Sequence, residues 1–92
     1  MPIKVRLFHN MRRIFGAKTI KVTPDRWTVA GLLEELIRDH EDVREELLEE
    51  NGEVSYRYTI LLNDRPVGRA SWDETPIDDG DEVVLLTMIS GG

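Results

Sequence analysis

Glu82-Val83-Val84-Leu85-Leu86-Thr87-Met88 is apolar on both of its faces from Val83 to Leu86. Successive side chains of a strand point to opposite sides of a sheet. A strand apolar on both sides therefore belongs in the middle of a sheet. The preceding Ile77-Asp78-Asp79-Gly80-Asp81 is turn chemistry and launches the strand. Working outward, Arg57-Tyr58-Thr59-Ile60-Leu61-Leu62 is a second strand, ended by Asn63-Asp64, and Pro66-Val67-Gly68 is a short edge strand. At the other end of the chain, Ile3 to Leu7 alternates apolar and polar residues up to Phe8, and Lys18 to Val22 alternates again. Segments 3–8 and 18–23 are expected to pair as an antiparallel hairpin.

Thr28 is placed to cap a helix. After it, Val29, Leu32, Leu33, Leu36, Ile37 and His40 recur at helical spacing, with Glu34, Glu35, Arg38 and Asp39 on the opposite face. A shorter helix is expected from Asp42 to Glu50, with Val43, Leu47 and Leu48 inward, stopped by Asn51-Gly52. Asn10 is expected to cap one helical turn through Arg13. The order is strand, strand, helix, strand, short strand, strand. The last strand, being the most buried, should lie beside segment 3–8, and a crossover through the helix makes that pair parallel. The expected class is α+β: a β-grasp, ubiquitin-like arrangement, with a mixed sheet of four or five strands packed on one main helix.

The chain has 92 residues, which suits one domain. It has no cysteine, which excludes disulfides, thiolate metal sites and a thiol nucleophile. The net charge of −6 argues against nucleic acid as a main partner. Residues 1–30 nevertheless hold seven basic groups against one acid, while residues 31–92 hold five against seventeen. Such polarity can steer association with a protein. No apolar run is long enough for a membrane span or a signal peptide, so a cytoplasmic protein is expected.

No metal cluster, phosphate loop or nucleophile–base constellation stands out, so no catalytic residue and no bound cofactor are expected. Glu45-Glu46 and Glu49-Glu50 read as a solvated helix face. Met11, Ile14 and Phe15 read as core plugs, and Trp27 and Trp72 as partly buried. The remaining candidate is the tail Ser90-Gly91-Gly92. A carboxylate is a poor acyl donor until it is linked to AMP, which supplies a leaving group. A tail of residues without Cβ atoms can thread a narrow passage in a partner. Ordering it costs roughly 1–2 kcal/mol per residue, which docking of the folded body must offset. Leu86, Met88 and Ile89 lie beside the tail and are the candidate docking residues. The expected division is a folded body, 1–87, and a flexible Gly-Gly tail, 88–92. A frayed end would have the same composition.

The sequence resembles the ubiquitin-like sulfur carriers of the MoaD/ThiS-like family, over nearly its whole length. Phe8 followed by Met11-Arg12-Arg13-Ile14-Phe15-Gly16, Thr28-Val29 with Leu32, Leu33 and Leu36, and Ile60-Leu61-Leu62-Asn63 with Arg65-Pro66-Val67 resemble successive pieces of that family. Asp79-Gly80-Asp81-Glu82-Val83 and Ser90-Gly91-Gly92 are the most specific matches. The family includes the small subunit of molybdopterin synthase, the thiamine-pathway sulfur carrier and the small archaeal modifiers. The resemblance implies that the Gly92 carboxylate is adenylated by a ubiquitin-activating-type enzyme using ATP and magnesium. It then becomes a thiocarboxylate, fed by a sulfur donor protein. The sulfur passes to an acceptor enzyme, for example the large subunit of molybdopterin synthase, or to tRNA thiolation. In the modifiers the same glycine forms an isopeptide bond with lysines of target proteins. Gly91 and Ser90 would thread the tail, and Lys4, Lys18 and Lys21 are the chain's own candidate acceptors. Where molybdopterin-type members carry Phe-Pro-Pro before the tail, this chain has Leu86-Thr87-Met88-Ile89. A non-covalent module that uses its sheet face alone is the remaining alternative.

Overall fold

The computed structural model describes residues 2–38 and 40–87. The chain runs β1 (Ile3–Leu7), α1 (Asn10–Phe15), β2 (Thr19–Val22), α2 (Val29–Arg38), α3 (Glu41–Leu47), β3 (Tyr58–Leu62), β4 (Arg65–Val67) and β5 (Glu82–Thr87), with a 3₁₀ turn at Arg69–Ser71. The five strands form one mixed sheet in the order β2-β1-β5-β3-β4. β5 is the central strand. It runs parallel to β1, with Val5 opposite Val83, and antiparallel to β3, with Ile60 opposite Leu85. This is the β-grasp arrangement.

Period-two alternation decides which side chains enter the core. Ile3, Val5 and Leu7 of β1, Val83 and Leu85 of β5, and Tyr58 and Ile60 of β3 all face the helices and join one cluster with Val29, Leu32, Leu33 and Leu36 of α2. Met11 is fully buried in it, Ile14, Phe15 and Trp27 pack on it, and Trp72 is buried while its indole N–H donates to the Val67 carbonyl at 3.0 Å. The cap of α2 is made as its sequence suggests: Thr28 Oγ1 accepts from the Gly31 N–H at 3.0 Å. Gly31 has a steric reason to lack a side chain, because a Cβ there would lie 2.2 Å from the Arg26 carbonyl oxygen.

Between β3 and β4, Asn63 and Asp64 take φ values of 49° and 71°. Two left-handed residues make the tight turn whose twist matches a hairpin, and Asn and Asp tolerate that region. Asn63 also reaches β5: its Oδ1 accepts from the Glu82 N–H at 3.0 Å. The hairpin is thereby tied to the start of the central strand.

Several local expectations are corrected. Asn10 does not cap α1. His9 holds the cap position at φ 51° with no side-chain cap bond, and α1 continues to Phe15. The stripe of α2 stops before His40, which is extended and exposed and leads into α3. Burying Val43 and Leu47 requires that change of direction. α3 ends at Leu47, three residues short of the expected Glu50, because Leu48 turns extended and bridges to Val54. Asn51-Gly52 forms the turn of that small ladder rather than the helix stop, with Gly52 at φ 86°. Phe8 lies just outside β1.

Candidate functional site

The sheet face turned away from the helices follows from the strand register. Lys4 and Arg6 of β1, Glu82, Val84 and Leu86 of β5, and Thr59 and Leu61 of β3 occupy it. One row across it reads Arg6, Val84, Leu61 and Pro66. Val84 is only 5% exposed yet stands outside the core cluster. Its neighbours on the same face, rather than a helix, shield it. Leu86, one of the candidate docking residues, is half-buried beside Thr59 on this face. Phe8 lies under two guanidinium groups, with the Arg12 carbon 4.6 Å and the Arg6 carbon 5.7 Å from its ring centre. The result is an apolar strip along β5 and β3, flanked by cations on the β1 side.

At the end of β5 the core side is polar. Thr87 stands opposite Tyr58, whose hydroxyl donates to Glu46 of α3 at 2.5 Å. Both Glu46 oxygens lie 3.3 Å from the Asn10 side-chain nitrogen, and Arg57 is 3.8 Å away. Glu46 therefore ties α3 to α1 and β3 rather than forming part of a solvated helix face. Burial pushes the Tyr58 phenol upward, and the neighbouring Glu46 carboxylate adds to the shift by hydrogen bonding and charge. The Thr87 hydroxyl lies near the phenol but has no hydrogen-bond partner of good geometry among the described residues. Sequence reasoning missed this knot. The i, i+12 separation of Glu46 and Tyr58 carries no local signal, although a tyrosine in an otherwise apolar strand is a reason to look for a buried acceptor.

Lys4, Lys18 and Lys21 are all exposed on the β1–β2 hairpin. Lys4 and Lys21 are directly opposite each other, and Lys4 also lies 3.7 Å from Glu82. Met88, Ile89, Ser90, Gly91 and Gly92 lie outside the described residues. Among the described residues no group of three or more His, Asp or Glu side chains is arranged to hold a metal ion, and no helix is long and apolar enough to cross a membrane.

The model of the ThiS family matches residues 5–92. The chain belongs to the ThiS family. Its relatives there are ubiquitin-like sulfur carriers and small archaeal modifiers. Small archaeal modifier protein 3 of Haloferax volcanii is 32% identical over the full length of both chains. The solution structure of small archaeal modifier protein 1 from Methanosarcina acetivorans superposes with a TM-score of 0.79 at 26% identity, covering 98% of this chain and 95% of that one. The crystal structure of the Haloferax volcanii modifier protein 1 gives a TM-score of 0.82 over both whole chains at 24% identity, which speaks to the fold. As a ThiS-family protein, the chain sits among ubiquitin-like carriers and modifiers.

Proposed function

We infer that this ThiS-family protein is a sulfur carrier that presents an acyl group at Gly92. The body is residues 1–87 and the tail 88–92. One observation carries the reading. The central strand, hydrogen-bonded on both sides, ends at Thr87, five residues before Gly92 and beside the apolar strip of Val84, Leu86 and Leu61. Five residues span at most about 17 Å when extended. A partner that docks on the strip could thus receive the tail end in an active site roughly that far away. Leu86, Met88 and Ile89 would form the part of the contact nearest the tail.

In the proposed reaction an adenylating enzyme holds ATP and magnesium. The Gly92 carboxylate attacks the α-phosphorus and pyrophosphate leaves. A sulfur nucleophile from a donor protein then attacks the acyl carbon and AMP leaves. That nucleophile is the terminal sulfur of a donor persulfide, so the product is an acyl disulfide. A second thiol attacks the donor's own sulfur, the S–S bond breaks and the donor leaves as a disulfide. The glycine keeps the transferred sulfur as a thiocarboxylate, which an acceptor enzyme uses. Gly91 and Ser90 thread the passage. Intact-mass measurement of protein from sulfur-replete cells tests this: a species with one oxygen replaced by sulfur is expected. Its absence, with and without sulfur starvation, would count against the carrier reading.

A second reading is conjugation to proteins, favoured by the full-length match to a small archaeal modifier. Here a lysine amine attacks the activated acyl group instead. The exposed Lys4, Lys18 and Lys21 are available acceptors on the chain itself. Because Arg69 is the last tryptic site before Gly92, such adducts need a protease other than trypsin to be read simply. Failure to find any Gly92-dependent adduct would remove this reading.

A further inference from the structure

The two edges of the sheet are not alike. β4 is three residues long with Pro66 at its centre, and a proline offers no N–H to an incoming strand. β2 is four residues long, Thr19–Val22, without a proline. Among the described residues its backbone pairs only with β1. The Leu7 N–H donates to the Lys18 carbonyl at 2.8 Å, so Lys18, Ile20 and Val22 turn their backbone groups inward. Thr19 and Lys21 turn theirs to the open edge. An edge of this kind is a template for another strand.

The surroundings of that edge differ on its two sides. On the helix side a groove of 370 Å³ runs between β2 and α2. Its apolar lining is Phe15, Ile20, Val22 and Leu36. The acid on its rim, Glu35, is already paired with Arg38, which also binds Asp25 at 3.0 Å. On the other side of the sheet, Lys21 lies beside Lys4 and Thr19 beside Arg6. Neither Lys21 nor Arg6 has an acidic partner among the described residues, in a chain whose net charge is −6.

We propose that β2 is a docking edge for an extended segment of a partner protein whose side chains alternate between apolar and acidic. A strand added to β2 must point every second side chain into the groove and the others toward Lys21 and Arg6. The groove accepts valine- or isoleucine-sized groups, and the cations accept carboxylates. Charge complementarity also selects against basic strands. β1 separates this edge from β5, so the docking does not require Gly92 to be reactive.

The test is titration of the isotopically labelled full chain with two capped heptapeptides, one alternating valine with glutamate and one alternating valine with lysine. The acidic peptide should shift the amides of Thr19, Lys21 and Thr23 and slow their hydrogen exchange. The lysine peptide should bind about tenfold more weakly. Lys21→Glu should narrow or invert that preference, and removal of Gly91-Gly92 should leave it intact. Equal binding of the two peptides, no shift at millimolar peptide, or shifts confined to β3 and β4 would overturn the proposal. Dilution-dependent shifts of the same amides without peptide would assign the edge to a second copy of the chain, and would overturn it too.

Discussion

On β5, Val83 and Leu85 point under the helices and are fully buried in the core cluster, whereas Val84 and Leu86, one residue along, lie on the side that carries Lys4 and Arg6. The four residues are similar in size and chemistry, so their hydropathy does not separate them. Their neighbours do. Val83 and Leu85 meet α2 and the inward residues of β1 and β3. Val84 stands between Arg6 and Leu61, and Leu86 beside Thr59, on the face turned away from the helices. A side chain held from all directions contributes stability. Val84 is already covered by its neighbours, whereas half-buried Leu86 keeps a surface free for a partner. In this fold one strand can therefore both build the core and present a docking strip ahead of the tail.

The largest expected effect concerns neither face. Deleting Gly91-Gly92 should abolish activation by the cognate adenylating enzyme, read as ATP–pyrophosphate exchange, with an unchanged melting temperature. Retained function in a complementation assay would make the open face the whole of the active surface and leave a non-covalent module. Next is Leu85→Ala, which removes a fully buried side chain. It should cost about 2–5 kcal/mol in urea unfolding, lowering Tm by roughly 10–30 °C, while the folded fraction is activated normally. Leu86→Ala should do the reverse. Its stability cost should stay near 1 kcal/mol, while KM for the adenylating enzyme rises severalfold at unchanged kcat. If Leu86→Ala destabilises as much as Leu85→Ala and leaves KM alone, the distinction between the faces collapses.

Much of this was legible in the sequence because periodicity and topology are local or nearly so. The Val83–Leu86 run implied a central strand, and centrality together with the helical crossover implied the parallel pairing with β1. Thr28 announced its cap, and Asn63-Asp64 its turn. What was not legible depended on register. Nothing in the sequence puts Arg6, Val84, Leu61 and Pro66 in one row, because a shift of one residue moves a strand's whole set to the other face. His40 continued a stripe that the chain abandons, since the packing of Val43 and Leu47 outweighs one more helical turn. Glu46 looked solvated among its acidic neighbours because its partners Tyr58 and Asn10 are distant in sequence.

That last contact gives the smallest effect and the sharpest test of where the buried face ends. Tyr58 is an inward residue of β3, opposite Thr87 at the point where β5 stops, and its hydroxyl donates to the Glu46 carboxylate. A hydrogen bond to a charged acceptor is stronger than a neutral one. Tyr58→Phe should therefore cost about 1–2 kcal/mol at neutral pH, leaving Glu46 with Asn10 and Arg57. Burial and Glu46 together raise the phenol pKa in the folded state above its unfolded value of 10.0. The folded chain then holds the proton longer than the unfolded chain does. The stabilisation is fully present below the unfolded value and is lost as pH rises toward the folded one. Urea unfolding above about pH 10 should show the native chain losing stability more steeply than Tyr58→Phe. The two proteins differ at no other position, so the difference between the two curves reports Tyr58. Parallel curves would mean that the phenol is open to solvent, and that the polar knot at the end of β5 belongs to the open face rather than to the core.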